Sequence, residues 1–134
     1  MSRMREESNT TPEEEFQSYL AKIDSGEGEF LFKAGFCYLK GYGTEQDIAK
    51  GEALLRKAAD NGDAATQYFL SSMYNDGQIL EKNEELALKY CKMAAEGGIM
   101  PAKYNLGNYF YEQGKYEQAE EQFIIAASNG VADA

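Results

Sequence analysis

The segment FLFKAGFCYLKGYG, from Phe30 to Gly43, is matched 36 residues later by TQYFLSSMYNDGQI, from Thr66 to Ile79. Four pairs of positions show the match: Ala34 and Leu70, Gly35 and Ser71, Tyr38 and Tyr74, Gly41 and Gly77. A fixed interval of this length is typical of stacked structural repeats, in which each unit buries its apolar face against its neighbours. The sequence therefore predicts a stacked array of repeats.

A third copy begins at Ala102 with AKYNLGNYFYEQG, and its second half comes four residues early. Ala126 follows Ala94 by only 32 residues, whereas Ala94 follows Ala58 by 36. Within each copy the apolar residues recur with helical spacing, so each copy is predicted to be a pair of helices. The predicted units are residues 29–64, 65–100 and 101–134.

The residues at the predicted helix ends suit those positions. Asp47 and Asn83 precede the second helices, where a side-chain oxygen can accept hydrogen bonds from the free amides of a helix start. Gly62, Gly98 and Gly130 fall where second helices should end. Glycine suits the left-handed conformation that is common just beyond a helix C-terminus.

Two glycines, Gly35 and Gly107, lie in the middle of predicted helices. A glycine there costs about 1 kcal/mol relative to alanine, which is tolerable if a facing helix must approach closely. The paired alanines at 58–59 and 94–95 also suggest close approach on the partner helix. We therefore expect close contacts between helices at these glycines.

The sequence Gly41-Tyr42-Gly43 followed by Lys50 raises the question of a phosphate-binding loop. A loop of the dinucleotide-binding type follows a strand and opens a helix, whereas this one follows a helical stretch. Its counterpart in the second copy has Ile79 in place of the second glycine. We therefore interpret the glycines as a turn.

The two ends of the chain differ. Thr11 and Glu14 form a capping-box pattern, and residues 11–28 are interpreted as a capping helix, a degenerate half-repeat, after a mobile tail at residues 1–10. At the other end, the repeat spacing predicts that another unit would begin at Ala134. We expect either a truncated longer array or an open end that docks a partner or a second copy, because terminal repeats normally carry a polar outer face.

Charge and composition exclude several classes of function. The formal net charge of −10 disfavours nucleic acid and anionic membrane surfaces. No apolar run is long enough to insert in a membrane, so a cytoplasmic location is expected. The chain has no histidine, and Cys37 and Cys91 are too far apart for a metal or redox motif and are expected to be buried free thiols. We therefore expect no enzyme, no metal and no cofactor.

These patterns resemble the Sel1-like repeat of the tetratricopeptide superfamily. In the first unit, residues 34–38 (AGFCY), 41–43 (GYG) and 58–62 (AADNG) match the family's positions. The second unit departs from the pattern with Ser71 in place of glycine. The resemblance, which covers roughly residues 29–134, implies an all-α fold: a right-handed α/α superhelix, or solenoid, of antiparallel helix pairs that acts as an adaptor for other proteins.

A second stripe of residues runs beside the core positions of each first helix, with i, i+4, i+7 spacing. The stripes are Phe32, Phe36 and Leu39 in the first unit, Tyr68, Ser72 and Asn75 in the second, and Tyr104, Asn108 and Tyr111 in the third. The resemblance implies that these positions line a concave groove that receives a peptide. Aromatic rings with nearby amides suit recognition. The alternative is that some of the aromatic residues pack between adjacent helices.

The leading hypothesis is a non-catalytic protein–protein interaction module that binds a peptide or protein segment in this groove. The alternative is a regulatory or toxin-immunity subunit that clasps an enzyme through a broad surface. In both cases the expected partner is another protein, and the acidic net charge favours a basic segment.

Overall fold

The computed structural model describes residues 10–25 and 27–129, and this part of the chain contains seven α-helices and no strand. They are α1 (Pro12–Lys22), α2 (Gly28–Lys40), α3 (Ile48–Asp60), α4 (Ala64–Asp76), α5 (Glu84–Glu96), α6 (Met100–Glu112) and α7 (Tyr116–Ser128), with a 3₁₀ turn, Ile23–Ser25, after α1. The predicted all-α fold is confirmed. The predictions for Gly130, for Ala134 and for the tail up to residue 9 lie outside the described residues.

The helices form two compact units. The first unit ends at Asn61 and contains α1, α2 and α3, and the second begins at Gly62 and contains α4 to α7. Each of the pairs α2–α3, α4–α5 and α6–α7 packs together within its unit. These are the three helix pairs that the sequence repeat predicts.

Three helix starts are capped as the sequence predicts. The side chains of Asp47 and Asn83 accept hydrogen bonds from the backbone N–H groups of Lys50 and Leu86, at 3.1 and 3.0 Å. Thr11 accepts from the backbone N–H of Glu14 at 3.1 Å, while the Glu14 carboxylate accepts from the backbone N–H of Thr11 at 3.0 Å. Each bond satisfies a donor that the helix itself leaves without a partner.

The cap at Asp47 gives a first testable prediction. Asp47→Ala is expected to lower the free energy of unfolding by about 1 kcal/mol, because the amide of Lys50 loses its acceptor. Asp47→Asn keeps a side-chain oxygen at the same position and is expected to retain most of the stability. Urea denaturation followed by circular dichroism measures both variants. Equal losses in the two would contradict the hydrogen-bonding role.

The Gly-x-Gly segment is a turn, as interpreted from the sequence. Gly41 and Gly43 have φ angles of 73° and 72°, a conformation that L side chains rarely adopt. A β-carbon on Gly43 would overlap the carbonyl oxygen of Pro12, at the start of α1. Between the two glycines, the hydroxyl of Tyr42 donates a hydrogen bond to the Glu15 carboxylate at 2.8 Å. The turn therefore connects α2 to α3 and also packs against α1.

The same backbone hydrogen bond closes the loop inside each helix pair. The carbonyl of Tyr38 accepts from the N–H of Asp47 at 2.8 Å, and the carbonyl of Tyr74 accepts from Asn83 at 3.0 Å. In the third pair the carbonyl of Phe110 accepts from Lys115 at 2.8 Å, across a loop four residues shorter. The early second half of the third copy is therefore a shorter loop.

In the first unit, glycines let α2 and α3 approach each other closely. A β-carbon on Gly51 would lie 2.8 Å from the carbonyl oxygen of Gly35 and 2.7 Å from Cδ2 of Leu39. The close contact expected at Gly35 is confirmed. Leu39 is only 1% exposed, so its predicted place on the surface stripe is wrong. Its side chain fills the space that Gly51 leaves open. Burying the leucine side chain there stabilises the fold more than leaving it exposed on the stripe would.

In the second unit, aromatic residues and small residues share the core. The rings of Tyr74 and Tyr90 are buried and stack at 6.3 Å. A separate cluster joins α5 to α6 through Cys91, Ala94, Ala95, Ala102 and Leu106. On α6, a β-carbon on Gly107 would lie 2.7 Å from the Phe123 ring of α7, so this glycine also permits close packing.

Candidate functional site

A polar groove opens between α4 and α6, which both pack against α5. Its lining residues are Ser71, Ser72 and Asn75 from α4, Glu84, Ala87, Leu88 and Cys91 from α5, and Asn105, Asn108, Tyr109, Glu112 and Gln113 from α6 and its C-terminal end. The groove has a volume of about 430 Å³. Apolar side chains of α5 are thus flanked by polar side chains from the helices on either side.

Three asparagines dominate the polar part of the groove. Asn105 and Asn108 lie on one face of α6 because they are three positions apart, and Asn75 comes from α4. All three are exposed, and none of their side-chain amides bonds to another residue in the described ranges 10–25 and 27–129. Each amide offers both a donor and an acceptor. The groove can therefore bond a ligand that presents alternating donors and acceptors.

Buried hydrogen bonds fix the side of the groove nearest α5. The Ser71 hydroxyl donates to the carbonyl of Ala87 at 2.7 Å, and the Cys91 thiol donates to the carbonyl of Ala102 at 3.4 Å. Burial raises the pKa of the Cys91 thiol, and the Ser71 hydroxyl offsets part of that rise. Cys91 therefore stays protonated at neutral pH and is a poor nucleophile. Together with Cys37 it is a buried free cysteine, as predicted.

The charge of the groove has one sign. Glu84 and Glu112 contribute carboxylates to the lining, and none of the lysines and arginines that the structure describes lines it. Both glutamates are exposed to solvent, so they act on a ligand through partly screened attraction. The charged side chains of the described lining are therefore all acidic.

Apart from the buried Leu39, eight stripe residues are predicted to line a groove, and the structure brings three of them into this one: Ser72, Asn75 and Asn108. Tyr68 and Tyr104 are half-buried and serve helix packing. Tyr68 contacts the cluster between α5 and α6, and the ring of Tyr104 lies 5.7 Å from that of Phe123. Tyr68 therefore packs helices that form the groove, whereas Tyr104 packs α6 against α7.

The other three predicted residues lie elsewhere. Tyr111 is exposed and its ring lies 5.1 Å from the ring of Tyr116, outside the groove. In the first unit, the half-buried rings of Phe32 and Phe36 stack on each other at 6.0 Å. The ammonium group of Lys40 lies 5.8 Å from the centre of the Phe36 ring. This aromatic pair with its cation is thus a local feature of α2.

Sequence reasoning missed several lining residues, among them Asn105, Glu112 and Glu84. Asn105 precedes Asn108 by three positions and Glu112 follows it by four, so helical spacing already placed them on the same face. Glu84 opens α5, and only the packing of α5 against both neighbours brings it to the groove. The predicted stripe therefore includes Asn108 but not the neighbouring polar residues Asn105 and Glu112 on the same helix.

The helix pairs define a class of protein, the all-α helical solenoids built from antiparallel helix pairs. The family model for the Sel1 repeat matches residues 28–63, 64–99 and 101–131. The chain therefore belongs to the Sel1 repeat family, and the resemblance seen in the sequence is confirmed. Proteins of this family are generally protein–protein interaction modules and typically act as non-catalytic scaffolds.

Individual proteins and solved structures are also similar to this chain. A putative Sel1-like repeat-containing protein of Acanthamoeba polyphaga mimivirus is 31% identical over 83 residues, which are 62% of this chain and 16% of that protein. The solved structure of a Sel1 repeat protein from Oxalobacter formigenes has a TM-score of 0.76 and 31% identity, over 88% of this chain and 92% of that one. A protective antigen of uropathogenic Escherichia coli with the same repeat fold has a TM-score of 0.73 and 28% identity, over 86% of this chain and 26% of that one.

The chain thus spans about a sixth of the viral relative and about a quarter of the Escherichia coli antigen. Among the described helices, none is long and apolar enough to cross a lipid bilayer.

Proposed function

We propose that this chain is a non-catalytic adaptor that binds an extended segment of another protein in the groove between α4 and α6. The observation that carries the proposal is the set of three side-chain amides, Asn75, Asn105 and Asn108, that face one groove without a bond to another described residue. Exposed amides around a concave surface are suited to bond a ligand's backbone.

An extended ligand fits these amides better than a helical one. The backbone of an extended segment has free N–H and C=O groups, whereas a helix has already bonded them internally. The apolar surface of Ala87 and Leu88 offers space for an apolar side chain between the amides. Glu84 and Glu112 favour a lysine or arginine in the same segment, so the proposed ligand is a short basic stretch of a partner protein.

The remaining stripe residues have a supporting part in this proposal. Tyr68 and Tyr104 maintain the positions of the helices by packing, and we do not expect them to be the main contacts. Phe32 and Phe36 hold the equivalent positions in the first unit, and their contact with a partner stays a prediction.

The experiment is a selection from a displayed library of random peptides, followed by affinity measurement on the enriched peptides. Asn75→Ala combined with Asn108→Ala is expected to weaken binding by roughly 2 kcal/mol, or about thirtyfold, because each amide contributes about 1 kcal/mol of hydrogen bonding. Enriched peptides are expected to contain lysine or arginine.

Gln118→Ala is the matched control, since Gln118 is an exposed amide of α7 that lies outside the groove. It is expected to bind the enriched peptides as well as the wild type does. Circular dichroism and urea denaturation establish that all variants are folded. If the peptides bound the double asparagine variant and the wild type equally, the groove would not be the binding site.

A further inference from the structure

A second concave surface lies on the last helix pair, and we call it the α7 face. Its lining residues are Tyr111, Tyr116, Glu117, Ala119, Glu120, Phe123, Ile124 and Ala127, around a cavity of about 450 Å³. Tyr111, Tyr116 and Ile124 are 59%, 61% and 57% exposed, although large side chains with so much apolar surface are usually more deeply buried. Within the described residues, nothing covers this apolar surface.

The repeat shows how part of this face, at the positions of Phe123 and Ala127, is used one helix pair earlier. α7 begins at Tyr116, 32 positions after α5 begins at Glu84, so Ala127 corresponds to Ala95 and Phe123 to Cys91. On α5 these positions are buried under α6. The residues of α6 that cover them are Ala102 and Leu106, which are four positions apart on one helix face. The correspondence of positions therefore favours a helix with a small and a branched apolar residue at i and i+4, with Phe123 standing in place of Cys91.

The charge on the α7 face differs from that of its counterpart. At the position of Leu88, which packs against the cluster between α5 and α6, α7 has Glu120. Helix α7 contains three glutamates and no lysine or arginine, and Glu117 and Glu120 both border the cavity. A purely apolar helix placed there would remove water from a carboxylate without giving it a partner, which is costly.

We propose that the α7 face binds an amphipathic helix of a partner protein, with alanine and leucine at i and i+4 and with lysine or arginine placed over Glu117 and Glu120. The apolar stem of such a basic side chain covers the tyrosine rings while its charged end reaches the carboxylates. Tyr111 and Tyr116, 5.1 Å apart, also offer ring faces to the cation. This site is independent of the groove between α4 and α6.

Charge argues against a second copy of the chain as the occupant. Two α7 faces placed together would bring the glutamates of both helices into one interface, and α7 supplies no cation to pair with them. Like charges in contact oppose association. An amphipathic basic helix from another protein can cover the apolar centre of the surface and pair with its acidic border.

The test uses two synthetic helical peptides that share alanine and leucine positions, one with lysine and the other with glutamate at the flanking positions. Fluorescence anisotropy of labelled peptides measures their binding to the full chain. The lysine peptide is expected to bind, and Glu120→Lys is expected to weaken it by about tenfold, because the reversal removes an attraction and adds a repulsion. The same variant is expected to bind the glutamate peptide better than the wild type does.

Two variants separate the contributions. Ile124→Asp is expected to abolish binding of the lysine peptide, because it places a charge on the apolar part of the face. Glu121→Lys is the control, since Glu121 lies on α7 but outside the cavity, and it is expected to bind as the wild type does. Asn75→Ala with Asn108→Ala is also expected to bind the lysine peptide normally, because it alters only the groove.

Three results would overturn the proposal. The first is equal binding of the lysine and glutamate peptides, and the second is loss of binding in Glu121→Lys but not in Glu120→Lys. The third is a concentration-dependent dimer in sedimentation that Ile124→Asp abolishes, since it would assign the α7 face to a second copy of this chain.

Discussion

Tyr90→Ala is expected to lower the free energy of unfolding of the second unit by about 4 kcal/mol, the typical cost of removing a large aromatic side chain from a core. Tyr90 lies on α5 and is fully buried. Its ring stacks on that of Tyr74 at 6.3 Å, with 13° between the ring planes. The substitution removes this contact between α4 and α5 and leaves a cavity that the helices cannot fill without moving.

Urea denaturation measures the loss, and amide hydrogen exchange assigns it to a part of the chain. The amides of α4 and α5 are expected to lose protection before those of α2 and α3 do, because the chain forms two compact units. Tyr116→Ala is the control, since Tyr116 is 61% exposed, and its cost is expected to stay near 0.5 kcal/mol as for other surface substitutions. Similar losses in the two variants would mean that Tyr90 is not a central core residue.

Most of the fold could be predicted because the repeat supplies each local signal more than once. Residue type and a shared place in the repeat predict that Asp47 and Asn83 are helix caps, and the hydrogen bonds from the amides of Lys50 and Leu86 confirm both. The turn at Gly41 was predictable for the same reason. Local rules sufficed wherever a residue's role depends on its own helix or loop.

The role of Leu39 could not be predicted from its own helix. Its spacing from Phe32 and Phe36 put it on the stripe, yet the structure buries it, because Gly51 of the next helix leaves space for its side chain. Spacing indicates which residues share a face, but the neighbouring helix decides how much of that face is covered. The boundary between core and surface stripe therefore depends on residues in another helix.

The same limit applies to the candidate site. The i, i+4, i+7 spacing of the stripes predicts Asn75 and Asn108. Glu84 lines the same groove only because α5 lies against both α4 and α6. Tyr111 illustrates the reverse case. It shares the face of Asn108 in the sequence pattern, but it contributes to the α7 face in the structure. The residues that line a groove between three helices cannot all be predicted from the periodicity of one helix.

The two proposed sites divide ligands by backbone conformation rather than by charge. Exposed amides in the groove suit an extended segment, and the apolar α7 face suits a helix, while glutamates at both sites favour basic partners. Salt is expected to weaken both interactions, and the apolar contacts of the α7 face are expected to retain more of their affinity. The groove variant and the Ile124 variant can therefore test the two sites separately.

Gly51→Val is expected to destabilise the first unit by about 3 kcal/mol, although valine is a better helix former than glycine. A β-carbon at this position would lie 2.7 Å from Cδ2 of Leu39 and 2.8 Å from the carbonyl oxygen of Gly35, and the branches of valine add further crowding. The carbonyl oxygen belongs to the backbone of α2 and cannot rotate away. Relief of the overlap therefore requires that α2 and α3 separate, which loosens the packing of Leu39 and Leu55.

Ala53→Val is the matched control, because Ala53 is an exposed position of the same helix. It changes helix propensity by less than about 1 kcal/mol and crowds nothing in the core. Urea denaturation compares the two variants, and hydrogen exchange is expected to show the loss of Gly51→Val in α2 and α3. If Gly51→Val were as stable as Ala53→Val, the close approach of the two helices would not be a determinant of the fold. If the expected difference is found, glycine at Gly51 is required by the helix contact, and it stabilises the repeat despite its low helix propensity.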